Sequence, residues 1–203
     1  MEDDLKYDNE MGSRKGSQYR NRKSIRLKGY DYSKAGLYFI TICCEDKKDR
    51  FGYVENGVMI LNEYGQIAHD EWLQLEERFP NMEMDVFQIM PNHMHGIIEL
   101  TVGSTLAVDR NYAGENLKKE IEQGDLRAGA SPAHTIPDIV GAYKSLVSNG
   151  CLELFKFKNE KMGKLWQRNY YEHIIRNDTS YQNISNYIIN NPAKWNEDKF
   201  YKK

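Results

Sequence analysis

Met90-Pro91-Asn92-His93-Met94-His95-Gly96-Ile97-Ile98-Glu99-Leu100 is the stretch whose reading decides the fold. It is an apolar, β-rich run entered through a Pro-Asn turn. In a strand, residues i and i+2 share a face, so His93 and His95 stand side by side and Met94 turns to the opposite side. Two adjacent imidazoles are half of a metal site or a pair of acid/base groups. They are equally compatible with two polar residues at a strand entrance, so the rest of the chain must supply the missing parts.

Working outward, Met84, Val86, Phe87, Ile89 and Met90 form the preceding strand, and so short a turn makes the two strands antiparallel neighbours. Leu37 to Cys44 is a further strand, and its unbroken apolar character predicts a central place in the sheet. Glu55-Asn56-Gly57 between two apolar runs signals a hairpin of 51–54 with 58–61. Asn62 is placed to cap a helix reaching about Phe79, with Ile67, Ala68, Trp72, Leu75 and Phe79 on one stripe. Thr135 opens a second helix, with Pro137 in its first turn and Ile139, Val140, Tyr143, Leu146 and Val147 facing inward. Lys144 lies on another side, free to face phosphate. Lys164 to Tyr171 is extended and aromatic-basic. Asp178 or Thr179 caps a last helix that ends at Pro192, after which Trp195 and Phe200 pin the tail to the core. Hairpin-joined strands with helices in blocks predict an α+β fold, a ferredoxin-like antiparallel β-sheet covered by helices.

The 203 residues suit a flexible charged arm over 1–28 and a single catalytic domain over 29–203, with 102–134 a variable insertion in which 116–123 could form a short helix. No apolar run approaches the roughly 20 residues of a membrane span, and no apolar leader is present at the start. Cys43, Cys44 and Cys151 are odd in number and poorly spaced for disulfides or structural zinc, which suits a cytoplasmic protein. The net charge of -2 argues against a uniformly basic surface. Locally, however, Arg14, Lys15, Arg20, Arg22, Lys23, Arg26 and Lys28 follow one another without an acid. Such an arm is either a phosphate contact or a solvated terminus.

On the last helix, Tyr187 and Asn191 are four residues apart and share a face. Asn191 could complete a three-ligand set with His93 and His95, of the kind that suits Mg²⁺ or Mn²⁺ together with a phosphate. Tyr187 would then be a nucleophile, its weak phenol attacking a metal-polarised phosphorus. A half-buried helix tyrosine and a helix C-cap before Pro192 explain the same two residues from spacing alone.

Three motifs taken together are more specific. Met90-Pro91-Asn92-His93-Met94-His95, then Leu165-Trp166-Gln167-Arg168-Asn169-Tyr170-Tyr171-Glu172-His173, then Tyr187-Ile188-Ile189-Asn190-Asn191-Pro192, in this order, resemble the single-tyrosine HUH transposases, closest to their REP-associated branch. The match covers roughly Gly29 to Trp195. The resemblance implies that His93 and His95 are the metal-binding pair and Asn191 the third ligand. It implies that Tyr187 attacks a single-stranded DNA phosphodiester to form a 5′-phosphotyrosine, with no nucleotide cofactor. It also implies hairpin or single-stranded DNA as partner, a monomer or homodimer, and DNA contacts from the basic arm, Gln167, Arg168, Tyr170 and Tyr171. The acidic start and the long 102–134 segment depart from the minimal pattern. Two other readings remain at this stage. One is a non-catalytic or domesticated DNA-binding protein. The other is a zinc hydrolase, for which only His69, His134 and His173 are left as further histidine ligands.

Overall fold

The computed structural model describes residues 31–101 and 134–201. The basic arm and the helix expected over 116–123 lie outside them. β1 (Gly36–Cys43) pairs antiparallel with β5 (His93–Leu100) on one side and with β6 (Tyr171–Ile175) on the other, and β4 (Met82–Met90) pairs with β5. The sheet order is β4-β5-β1-β6, with β1 and β5 central. Setting the separate β2–β3 hairpin aside, the chain runs β1, helix, β4, β5, helix, β6. That is the ferredoxin-like arrangement expected from the sequence.

Alternation along the strands divides the sheet into two faces. Tyr38, Ile40 and Ile42 of β1 and Met94 and Ile98 of β5 point to one face and are fully buried. Against it pack α1 (Glu63–Leu73), the short α2 (Leu75–Arg78) and α3 (Ile136–Phe157), through Trp72, Leu75, Ile139, Tyr143 and Val147. The opposite face carries His93, His95 and Ile97. There α4 (Asp178–Asn190) packs through Ile188 in a smaller cluster with Ile97 and Ile175.

Local chemistry explains the element ends. β2 (Gly52–Glu55) and β3 (Val58–Leu61) are joined by Asn56 and Gly57, whose φ values of 50° and 77° are those a type I′ turn requires. Asn62 Oδ1 accepts from the Gly65 N–H at 2.9 Å to start α1. The single helix expected from Asn62 to Phe79 is interrupted at Gln74, so its last turn forms a separate short helix. Thr135 and Asp138 form a reciprocal capping box at α3 with Pro137 in the first turn. The last helix is capped one residue earlier than expected: Asn177, not Asp178 or Thr179, accepts from the Ser180 N–H at 2.8 Å. The extended stretch after Lys164 ends in β6, a regular edge strand. Trp195 and Phe200 are buried beside Cys43 and Met90, so the tail is pinned as expected. Among the described residues no helix is long and apolar enough to cross a membrane, and all three cysteines are free and buried.

Gly96 shows why the histidine strand carries a glycine directly after its motif. A Cβ at this position would lie 2.6 Å from Cζ2 of the Trp72 ring, which is fully buried. Gly96→Ala is therefore expected to destabilise the fold by about 1–3 kcal/mol, read by urea denaturation, because the indole cannot retreat without leaving its packing.

Candidate active site

The site is built where β5 begins, β1 ends, and α4 with the following tail closes over both. His93 and His95 are fully buried, and their Nε2 atoms are 3.0 Å apart. The register places Thr41 opposite His95 and Cys43 opposite His93. Thr41 Oγ1 is 2.8 Å from His95 Nδ1, and Asn92 Oδ1 is 2.9 Å from His93 Nδ1. Phe200 stacks obliquely on His93 at 4.5 Å between ring centroids, and Phe39 lies 5.4 Å from His95.

The hydrogen bonds assign the protons. Asn92 Nδ2 donates to the carbonyls of Lys47 (3.3 Å) and Phe200 (3.0 Å), so its oxygen faces His93 and His93 Nδ1 must carry the hydrogen. Burial, then the nearby Lys199 and Lys47 charges, push the His93 pKa down to about 3. Burial, then His93, holds His95 well below the ordinary imidazole range. Both rings are thus neutral near pH 7, and His93 presents a bare Nε2. His95 Nε2–H donates to it, which leaves His95 Nδ1 to accept from the Thr41 hydroxyl.

Tyr187 sits on α4 above this pair. Its Oη is 3.1 Å from His95 Nε2 and 3.0 Å from Asp198 Oδ2. Asn191 Nδ2 donates to the same Asp198 oxygen at 2.8 Å. The carboxylate accepts both hydrogens, so the Tyr187 O–H points at Asp198 and its lone pairs face the histidines. Burial, then the Asp198 charge, raises the phenol pKa above its ordinary value, so the group is protonated at neutral pH. Asn191 Oδ1 is buried without a hydrogen-bond partner.

Asp198 is the residue that sequence reading missed. With His93 and His95 it forms a group whose candidate ligand atoms all lie within 4.8 Å of one another. The signal available was its place between Trp195 and Phe200, the two residues expected to pin the tail. The predicted DNA contacts fall into different places. Lys144 does not reach outward: its Nζ donates to the carbonyls of Gln167 (2.7 Å) and Arg168 (3.1 Å), and burial lowers its pKa. Gln167 Nε2 is tied to the Cys44 carbonyl at 3.1 Å. Tyr170 is buried in the main core. Tyr171 is exposed and pairs with Thr41 in the β1–β6 register, on the site face; Arg168 is also exposed.

No protein-family model matches the chain. An uncharacterized protein of Haemophilus influenzae (strain ATCC 51907 / DSM 11121 / KW20 / Rd) is 41% identical over 182 residues, spanning 89% of this chain and 93% of that protein. The chain belongs to one family with that protein. A second Haemophilus influenzae protein of the same strain, provisionally named a REP-associated tyrosine transposase, is 26% identical over 165 residues, 81% of this chain and 74% of its own length. A solved structure of a REP-associated tyrosine transposase bound to a REP hairpin superposes with a TM-score of 0.52 at 19% identity, covering 86% of this chain and 76% of that one. The resemblance to REP-associated tyrosine transposases thus holds in sequence and in fold.

The imidazole geometry has a direct consequence. Two donors each about 2.1 Å from an ion in neighbouring octahedral positions are about 3.0 Å apart. The His93–His95 separation therefore fits a shared ion as well as a hydrogen bond. An ion held by both Nε2 atoms would need the His95 hydrogen on Nδ1, where the Thr41 hydroxyl could turn to accept it. Thr41→Val, isosteric but without the hydroxyl, is expected to weaken Mn²⁺ binding by about 10- to 100-fold in calorimetric titration, and Thr41→Ser to retain it.

Proposed function

We propose that the chain is a divalent-metal-dependent transposase and nuclease of single-stranded DNA, which recognises hairpin DNA and cleaves and rejoins strands through a 5′-phosphotyrosine at Tyr187. The observation that carries this reading is the convergence of the Tyr187 hydroxyl, 3.1 Å from His95 Nε2 and 3.0 Å from Asp198 Oδ2, on a buried pair of neutral imidazoles. The REP-hairpin complex of the structural neighbour supports hairpin DNA as the partner.

The donor set fits a metal. The bare Nε2 of His93, the Nε2 of His95 once its hydrogen sits on Nδ1, a carboxylate and a buried carboxamide oxygen without a partner suit Mg²⁺ or Mn²⁺. His93, His95 and Asp198 would hold the ion, with Asn191 Oδ1 as the further oxygen. Bound there, it supplies a Lewis acid that draws charge from a phosphodiester.

Tyr187 Oη attacks phosphorus in line with the leaving 3′ oxygen. The Oη–P bond forms as the P–O3′ bond breaks. The phenolic hydrogen, already directed at Asp198 Oδ2, passes to that carboxylate, and the departing oxygen takes a solvent proton to become a 3′-hydroxyl. Attack by a 3′-hydroxyl on the phosphotyrosine reverses the step, so the bond energy is retained and no nucleotide is needed. Asn191 and the tail hold Asp198 in reach. His93, His95, Tyr187 and Asp198 all belong to one chain, so a monomer suffices for the chemistry. Tyr171 offers a stacking surface beside the site and Arg168 a phosphate contact, together with the basic run from Arg14 to Lys28.

A His, His, Asp set is also one that zinc takes in hydrolases, and metal analysis separates the two readings. Stoichiometric, tightly held zinc in the purified protein would favour hydrolysis, whereas ready exchange with Mn²⁺ is expected here. The nucleophile is tested with hairpin oligonucleotides bearing randomised single-stranded flanks. In Mn²⁺ or Mg²⁺ the unmodified chain should form a covalent adduct that Tyr187→Phe loses while hairpin binding survives. Undiminished adduct in that variant would transfer the role to Tyr181 or Tyr171. Hairpin binding without any adduct from the unmodified chain would favour a pure DNA-binding protein.

A further inference from the structure

The outward face of α4 is made of carboxamides. Asn183, Asn186 and Asn190 occur at i, i+3 and i+7, so they stack on successive turns, opposite the partly buried Ile184 and the buried Ser185 and Ile188. All three asparagines are exposed. Asparagine is among the poorer helix formers because its side chain competes for the backbone, and nothing in the packing of α4 calls for it on the solvent side. Asn190 shows the competition directly, its Nδ2 donating to the Asn186 carbonyl at 2.7 Å.

These residues form one wall of a cavity of about 330 Å³ that is continuous with Tyr187. Lys194, Glu197 and Asp198 form the other wall. One cation against two carboxylates gives this cavity no net attraction for a phosphate backbone. Carboxamides offer paired donors and acceptors without charge, which is the complement of a nucleobase edge. The volume is at the small end of ligand pockets, suited to a single base and too small for a duplex. Tyr187 is among the residues that line it.

We propose that this cavity is a base-reading subsite, in which Asn183, Asn186 and Asn190 hydrogen-bond the unpaired base of a nucleotide next to the phosphate that Tyr187 attacks. The subsite rests on the DNA-cleaving function proposed above and adds to it a source of sequence preference. Tyr187 itself lines the cavity, so a strand that delivers its phosphate to Tyr187 Oη passes beside these asparagines.

The test uses the full chain, Mn²⁺ and hairpin oligonucleotides with fully randomised single-stranded flanks. Covalently captured strands are sequenced from the tyrosine linkage. The unmodified chain should enrich one base by about fivefold or more at a position within two nucleotides of the linkage. Asn183→Ala, Asn186→Ala and Asn190→Ala combined should bring that enrichment to less than about twofold, whatever the total yield, because the ratio among bases is normalised within each reaction. Asn183→Ala alone, farthest from Tyr187, should reduce it partially. The same base preference in the triple variant overturns the subsite and leaves the nuclease intact. Equal use of all four bases by the unmodified chain also overturns it. Failure of the unmodified chain to capture any strand overturns the cleavage reading, and the subsite falls with it.

Discussion

Two imidazoles removed from water on one face of a strand must have all four ring nitrogens satisfied, and much of this structure follows from that requirement. A buried polar group left without a partner costs about 1–3 kcal/mol. Here each nitrogen has a neighbour supplied by a different part of the chain. The β1–β5 register delivers Thr41 to His95, the Pro91-Asn92 turn delivers the carboxamide to His93, and the two Nε2 atoms meet each other. Asn92 is itself held by carbonyls of the Lys47 turn and of Phe200 in the tail. Strand pairing, turn and tail are therefore tied to the same two rings. A slip of one residue in β1 would replace Thr41 by an apolar neighbour and turn the histidines' support to the wrong face.

The two faces of the sheet carry different duties. The face covered by α1 and α3 holds the large apolar side chains and most of the burial. The face under α4 has a smaller apolar cluster, and the polar machinery sits at one end of it. A polar network is tolerable in a protein interior only when its members are satisfied, and a stable opposite face allows one to be kept at all. One atom of the network, Asn191 Oδ1, stands without a partner. The tail from Trp195 to Phe200 adds what α4 alone lacks: Asp198 for Tyr187 and Asn191, and an aromatic cover over His93.

The framework was legible in the sequence because it rests on short-range rules. Period-2 alternation, the Asn56-Gly57 turn, the Asn62 and Thr135 caps and the Pro91-Asn92 turn each express themselves within a few residues. His93 and His95 were legible for the same reason, and Tyr187 with Asn191 became so through their order relative to the other motifs. Asp198 was not. An acidic residue in a charged tail has no periodic signature, and its meaning appears only when Trp195 and Phe200 fold the tail back. Asn177 was passed over because Asp178 and Thr179 beside it are equally good caps, and three-dimensional placement decides among neighbours. Lys144 reads as a surface group from its chemistry, and Tyr170 as either a DNA contact or a core residue. Tertiary packing instead commits the lysine to two carbonyls and the tyrosine to the core.

The central claim is that the strand pair and the tail together hold one divalent ion next to Tyr187. Crystals of the full chain grown with Mn²⁺ test it directly through anomalous diffraction at the manganese edge. The account predicts a single ion about 2.0–2.3 Å from both His93 Nε2 and His95 Nε2. Asp198, or Asp198 with Asn191 Oδ1, should complete the protein ligands, and the Tyr187 hydroxyl should face the same ion across a site open to a phosphate. Manganese bound elsewhere, with the two imidazoles still hydrogen-bonded to each other, would contradict it.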